Sequence, residues 1–287
     1  RLRQHVDFLA GMIGPRHLAL PSTIDATIKY IEKQFATIGT SISRQTYQVD
    51  GIDAHNLILE RRGSTAPEKI LVIGAHYDTE EITPGADDNA SAVAALIEAA
   101  RLTAPFKPRH TLRFVCFPCE EQPHMENGTM GSQAYARACR ERNDQLIGMI
   151  CLEMLGFYSS APNSQQVPPG IPRAVRWLFP NRGNFLASVA NFHSFKLLWS
   201  FHRGFKSATR LRLFSVPLPE KIREIRRSDN SSFWDQGYPA LMITDTSFLR
   251  NPNYHQLTDT PDTLDYERLA QATLGLAGAI SRIARCR

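Results

Sequence analysis

No run of about 20 apolar residues occurs anywhere in the 287-residue chain, so nothing in it reads as a membrane-spanning helix. The glycine-rich phosphate loop and the dinucleotide fingerprint are missing. So is the G-x-S-x-G elbow of serine hydrolases, and no cysteine has a catalytic context. Cysteine is scarce and odd in number, at five. Cys116 and Cys119 form a C-x-x-C, but no second pair exists to complete a structural zinc site. That pair leaves an apolar run instead of opening a helix, which argues against a redox motif, and nothing demands an oxidising compartment. Charge of one sign is also lacking, since the net +5 is dispersed. The densest basic run, Lys221 to Arg227, carries Ile222 and Ile225 at helical spacing and reads as a solvated helix face. A nucleic-acid contact would want a larger basic patch with aromatics. There is no internal repeat and no low-complexity tract. The chain opens on Arg1 and not on Met, which leaves the compartment open between secreted, periplasmic and cytoplasmic.

What is present is an ordinary globular composition, 43% hydrophobic and 21% charged, enough for a sizeable core. Thr23 to Ile38 reads as an amphipathic helix closed by Gly39, followed by strands over Ile42–Val49 and His55–Glu60. The continuous apolar run Lys69–Ala75 reads as a strand buried on both faces, and His110–Phe117, Leu146–Leu152 and Ala240–Thr244 read as further core strands. Helices are expected at Ala90–Leu102, Ser132–Asp144 and Leu264–Ala284. This alternation predicts an α/β fold, a three-layer αβα sandwich whose central sheet is mixed and mostly parallel. One domain over 1–287 is expected, with loop insertions around 154–185 and 200–228 near the site. Pro162 to Pro172 reads as a surface loop.

Five short segments each end in a hard metal ligand: His76-Tyr77-Asp78, Asp87-Asp88-Asn89, Glu120-Glu121, Glu153 and Tyr254-His255. His76, Glu120–Glu121 and Glu153 fall at the carboxyl ends of expected strands, where open α/β sheets collect ligands. Glu153 directly follows Ile-Cys-Leu, and an unpaired carboxylate in a core is costly unless a cation answers it. Two imidazoles, a shareable carboxylate, two further carboxylates and a spare one as base are the parts of a two-metal hydrolase.

The stretches GAHYDT (74–79), PGADDNASA (84–92), FPCEEQ (117–122), CLEMLG (151–156), RSDNSSFWDQGYPAL (227–241) and NYHQLTDTPDTLDY (253–266) resemble, in order, those of the dizinc aminopeptidases. That family is related to glutaminyl cyclases and transferrin-receptor-like proteins. The resemblance implies two Zn²⁺ per chain, with Co²⁺ or Mn²⁺ as substitutes. It implies that Asp88 bridges the metals, that Glu121 and His255 complete one, and that His76 and Glu153 complete the other. It implies catalytic roles for Glu120, as general base, and Asp78, as the acid that orients His76. A cis peptide after the bridging Asp is also implied. The expected function is a metal-dependent aminopeptidase. It would hydrolyse the N-terminal peptide bond of a peptide with a free N-terminus, through a metal-bridging water.

Two departures stand out. Asn230 follows Asp229 where the family usually has His, which leaves the role of Asp229 open. The tyrosine some relatives carry before that motif is replaced by Glu-Ile-Arg-Arg, so the oxyanion donor is either the metals alone or another group such as Tyr254. Asp259, four residues after His255, is a candidate for orienting that histidine or for a simple turn. The rival readings are a glutaminyl cyclase-like acyltransferase with a single zinc and a non-catalytic homologue. Side-chain specificity and oligomeric state are not readable.

Overall fold

The computed structural model describes residues 1–39 and 41–286. In chain order it contains α1 (Leu2–Val6), α2 (Pro21–Ala36), β1 (Ser41–Val49), β2 (Ile52–Arg61), β3 (Ala66–His76), α3 (Ala92–Thr103), β4 (His110–Phe117), α4 (His124–Asn127) and α5 (Gly131–Glu141). There follow β5 (Gln145–Glu153), β6 (Leu186–Ala190), α6 (Phe195–Ala208), β7 (Leu213–Pro217), α7 (Asn230–Asp235), β8 (Ala240–Thr244) and α8 (Tyr266–Ile283). The strands form one sheet in the order β1-β2-β4-β3-β5-β8-β6-β7. The pairs β4/β3, β3/β5, β5/β8 and β6/β7 are parallel, and β1/β2, β2/β4 and β6/β8 are antiparallel. The mixed, mostly parallel sheet expected from the alternation is therefore present.

The continuous apolar strands are buried on both faces because residues of period two feed two separate cores. In β3, Leu71, Ile73 and Ala75 point into a core shared with α2, α3, α6 and α8, while Ile70 and Val72 point into a second core shared with α5 and α7. Helices cover both faces, which completes the three layers. The amphipathic faces are regular: α2 buries Ile24, Ile28, Ile31 and Phe35 at helical spacing. No described helix is long and apolar enough to cross a membrane.

Two expectations are corrected. The stretch 200–228 is not a loop insertion, since it holds the second half of α6 and all of β7. The basic run 221–227 is solvated at Lys221, Arg223 and Arg227 and buries Ile222 and Ile225 in the second core as expected, but over a single 3-10 turn, Arg223–Arg226, and not an α-helix.

Candidate metal centre

Parallel strands align their carboxyl ends, so β4, β3, β5 and β8 deliver their last residues to one edge of the sheet. His76 is the last residue of β3 and pairs with Phe117, three residues before Glu120; Glu153 is the last residue of β5 and pairs with Thr244. Asp88 sits in the turn Ala86–Ser91 that leads into α3, with non-helical φ −103° and ψ 89°. The Asp88–Asn89 peptide is cis, as the resemblance implied. Asn89 ties this turn to the end of β5, donating to the Leu152 carbonyl at 3.0 Å and accepting from the Met154 N–H at 2.9 Å. His255 arrives from the loop before α8.

The five expected ligands converge. His76 Nε2 lies 3.3 Å from Asp88 Oδ1 and 3.5 Å from Glu153 Oε2. His255 Nε2 lies 3.3 Å from Asp88 Oδ2 and 3.2 Å from Glu121 Oε2. Asp88 thus turns one oxygen to each imidazole. None of these contacts is a hydrogen bond: His76 Nε2, His255 Nε2, Asp88 Oδ1 and Glu121 Oε1 are buried without a hydrogen-bond partner among the described residues. Two ligands each about 2.0–2.2 Å from a tetrahedral zinc stand roughly 3.3–3.6 Å apart, which is the spacing seen. The donor set therefore fits two ions sharing Asp88. Glu120 Oε2 is farther from His76 Nε2, at 3.9 Å, on the Glu153 side.

Electrostatics agree. Burial pushes Glu121 up to about 8, with Asp88 adding to it, and burial also holds Glu120 well above the usual carboxylate range. Burial works against a charged His255, but Asp88 and Glu121 outweigh it and bring the ring up to about 10. His76 is likewise raised against burial, by Glu153 and Glu120. Asp88 is held low by His255 and His76 although burial opposes its charge. A buried set richer in carboxylates than in cations is unfavourable until positive charge enters it.

A family model for peptidase family M28 matches residues 56–280. The chain belongs to that family. M28 membership makes it a metal-dependent peptidase. It is 35% identical over 284 residues to the uncharacterized protein YfbL of Escherichia coli, covering 96% of this chain and 85% of that one. Its fold matches a zinc aminopeptidase from Bacillus subtilis with a TM-score of 0.77 at 14% identity, covering 98% and 94% of the two chains. A glutaminyl cyclase from Fimbriiglobus ruber matches with a TM-score of 0.67 at 20% identity, covering 98% and 93%.

Around this M28 site the supporting groups sort themselves by hydrogen bonding. Asp78 accepts the backbone N–H groups of Glu120 at 2.9 Å and Glu121 at 3.2 Å on Oδ2, and Oδ1 stands 3.5 Å from His76 Nδ1. His76 Nδ1 also faces the Asp78 carbonyl at 3.2 Å. A carbonyl only accepts, so Nδ1 carries a proton, which leaves Nε2 as the ring nitrogen available to a metal ion. Asp87 turns away, accepting from Gly156 N–H and Asn251 Nδ2, both at 2.8 Å. Glu153 accepts from Ser228 Oγ at 2.6 Å. Tyr254 stacks on His255 with ring centroids 3.7 Å apart and lines a cavity with Asp88, Glu120 and Glu153. Burial and those carboxylates hold its phenol protonated, as a donor.

Asp259 does not orient His255. Its carboxylate accepts the N–H groups of Asp87 at 2.9 Å and Asp88 at 3.1 Å, while the group beside His255 Nδ1 is Glu80, at 3.7 Å. Asp229 is fully buried with neither oxygen hydrogen-bonded among the described residues, and burial brings it to about 7. Asn230 donates to the Ile225 carbonyl at 2.8 Å.

Sequence reasoning missed Arg16 altogether. It is 1% exposed and its guanidinium donates to five carbonyls: Tyr77 (3.0 Å), Leu9 (2.9 Å), Gly14 (2.8 Å), Pro84 (2.7 Å) and Gly85 (2.9 Å). It binds together the two loops that carry His76 and Asp88. Gly85, at φ +63°, has no room for a Cβ, which would sit 2.3 Å from Thr79 Cγ2 and 2.4 Å from the Asp88 carbonyl.

Proposed function

We propose that the chain is an aminopeptidase that holds two Zn²⁺ per chain and releases the N-terminal residue of peptides. The observation that carries this is Asp88, with one oxygen turned to His76 and the other to His255, each histidine beside a second carboxylate. His76 and Glu153 would hold one ion and His255 and Glu121 the other, supplying Lewis acidity toward the scissile carbonyl and the attacking water.

The remaining work falls to the chain's own groups. Glu120 lies next to His76 and Glu153 but is the farthest of the carboxylates from the imidazoles, and it takes the proton of the attacking water and returns it to the leaving amine. Asp78 fixes the Glu120 and Glu121 backbone, so the base and the neighbouring ligand stay on their separate sides. Glu153, steadied by Ser228, receives the substrate's free amine. The Tyr254 hydroxyl, in the cavity lining with Glu120 and Glu153, would donate to the developing oxyanion.

The test combines metal analysis with a substrate panel of aminoacyl-anilides and a peptide with N-terminal Gln. Two zinc ions per chain with anilide hydrolysis are expected. Glu120→Gln is expected to keep both ions and lose about 10²–10⁴-fold in kcat. One ion per chain with cyclisation of the Gln peptide would replace this reading with the acyltransferase one. A fully active Glu120→Gln protein would remove Glu120 from the mechanism.

A further inference from the structure

The cations are dispersed along the sequence, but the acids are not. From Met154 to Pro219 the chain carries eight Lys and Arg residues and no Asp or Glu. The remaining 25 Lys and Arg face all 28 acids, so this stretch alone turns a net −3 into the chain's +5. Among the described residues it also holds four of the five exposed phenylalanines and tryptophans: Trp177, Phe192, Phe195 and Trp199.

Charge and aromatics coincide on α6. Its inner side buries Leu197, Leu198, Phe201 and Phe205. At 3.6 residues per turn, Phe195, Lys196, His202, Arg203 and Lys206 all lie within about 60° of Trp199 on the outer side. Phe195 is 51% exposed, Trp199 44%, and Phe192, in the turn just before the helix, 63%. The Phe195 and Trp199 ring planes differ by 6° and those of Trp199 and His202 by 13°, while the Arg203 guanidinium lies 5.8 Å from the Trp199 ring centre. Lys196, Arg203 and Lys206 meet no carboxylate among the described residues. The helix packed beside α6, α8, has no acid after Glu267 and exposes Leu274.

Exposed rings flanked by unanswered cations ask for a partner that is apolar and anionic at once. An anionic bilayer offers both, with phosphates at its surface and acyl chains a few Å below. Duplex nucleic acid would meet the cations, but its bases are stacked on one another and out of reach of the rings. We propose that the outer side of α6 docks on an anionic lipid bilayer. Phe192, Phe195 and Trp199 enter the boundary between headgroups and acyl chains, and Lys196, Arg203 and Lys206 meet the lipid phosphates. The docked molecule keeps its metal centre clear of the lipid. Ser194 Oγ, beside the aromatic end of α6, accepts from the Ala240 N–H at 3.0 Å. Ala240 opens β8, whose other end, Thr244, pairs with Glu153.

The experiment is co-sedimentation of the full chain with vesicles of phosphatidylcholine alone and of phosphatidylcholine mixed with phosphatidylglycerol. At about fivefold for each cation near the surface, three cations give an expected preference of about 100-fold for the mixed vesicles. Raising the ionic strength from about 0.1 M to about 1 M should weaken that binding about tenfold or more. Lys196→Gln with Arg203→Gln should weaken it about 25-fold. Phe195→Ser with Trp199→Ser, which keeps every cation, should weaken it about tenfold or more. In a Trp177→Phe protein the emission should shift to the blue on the mixed vesicles, because Trp234 is already buried and Trp199 is the ring that leaves water. Circular dichroism of each variant confirms that it has folded, and all of these side chains but Trp234 point to solvent. Equal binding to both vesicles, no binding to either, an unshifted emission, or a folded double variant that binds like the parent overturns the proposal. Tighter binding to duplex DNA than to the mixed vesicles, lost with the cations but not with the rings, overturns it in favour of nucleic acid. None of these residues belongs to the metal centre, so the peptidase reading stands or falls separately.

Discussion

Replacing Arg16 by lysine asks what holds the site together before any metal arrives. The guanidinium meets five carbonyls, those of Leu9, Tyr77 and Gly85 buried and those of Gly14 and Pro84 partly so, and each bond comes from a charged donor. A lysine ammonium carries three donors on one nitrogen, so at least two of the five carbonyls lose their partner. At about 1–3 kcal/mol for each group left unsatisfied, the loss is about 2–6 kcal/mol, against a total of about 5–15 kcal/mol for a typical fold. Burial lowers the Arg16 guanidinium only to about 10, so the parent side chain is a cation at neutral pH. The assay is urea unfolding of metal-free protein in chelator, where the midpoint should fall by roughly 1–2 M with an unchanged slope. Since the carbonyls belong to Tyr77, next to His76, and to Gly85, three residues before Asp88, zinc affinity should fall about 10–100-fold in parallel. A lysine variant with the parent midpoint and the parent zinc affinity would refute this account of Arg16.

Two further outcomes follow from packing and charge. Glu98 on α3 faces His5 Nε2 at 3.1 Å and Arg101 Nε at 3.0 Å, and against the opposing effect of burial these bring its carboxyl from 4.5 down to about 2. A depressed folded pKa contributes stability that is present above pH 4.5 and lost as pH falls toward 2. Urea unfolding of the metal-free protein across that window should show the parent losing about 1–3 kcal/mol that Glu98→Gln does not lose; equal slopes for both would count against it. In α6, a Cβ on Gly204 would stand 2.6 Å from the Ala279 Cα of α8. The helix propensity gained by Gly204→Ala, about 0.8–1 kcal/mol, is smaller than the roughly 1–3 kcal/mol of forcing two backbones apart. Its melting temperature should therefore drop by a few degrees, and a rise would show that the helices separate freely.

The parts of the fold that were legible in the sequence are those where burial acts on both sides of a strand. The runs ending at His76, Phe117, Glu153 and Thr244 are mostly apolar, broken in β4 only by the half-buried Arg113, and each lies within the sheet's interior. The β7 edge was not legible, although the opposite edge strand, β1, was. β7 is five residues long, half-buried throughout and closed by Pro217, so it carries no alternation to read. α6 buries Leu197, Leu198, Phe201 and Phe205 but exposes Phe195 and Trp199 on the opposite side, and that blurs its amphipathic pattern. At the site, the ligand types were readable because a carboxylate after an apolar run is itself anomalous. The supports were not: Arg16 lies in a polar Gly-Pro-Arg-His stretch far from any motif, and only its burial reveals it. Asp259 was readable as an acid near His255 but not as the acceptor for Asp87 and Asp88, because that contact joins positions more than 170 residues apart.

The spread of the ligands along the chain also governs when the protein can act. His76, Asp88, Glu121 and Glu153 come from the first part of the sheet, but His255 lies beyond β8, the last strand to be made. A ribosome-bound chain that has not yet released that segment has one imidazole and an unanswered group of carboxylates, and Arg16 and Asp259 are not yet both in place to clamp the Asp88 turn. On the proposed reading, hydrolytic power appears only once the segment that carries His255 has been made. Unfinished chains are thereby inert toward neighbouring nascent proteins without any inhibitory segment being needed.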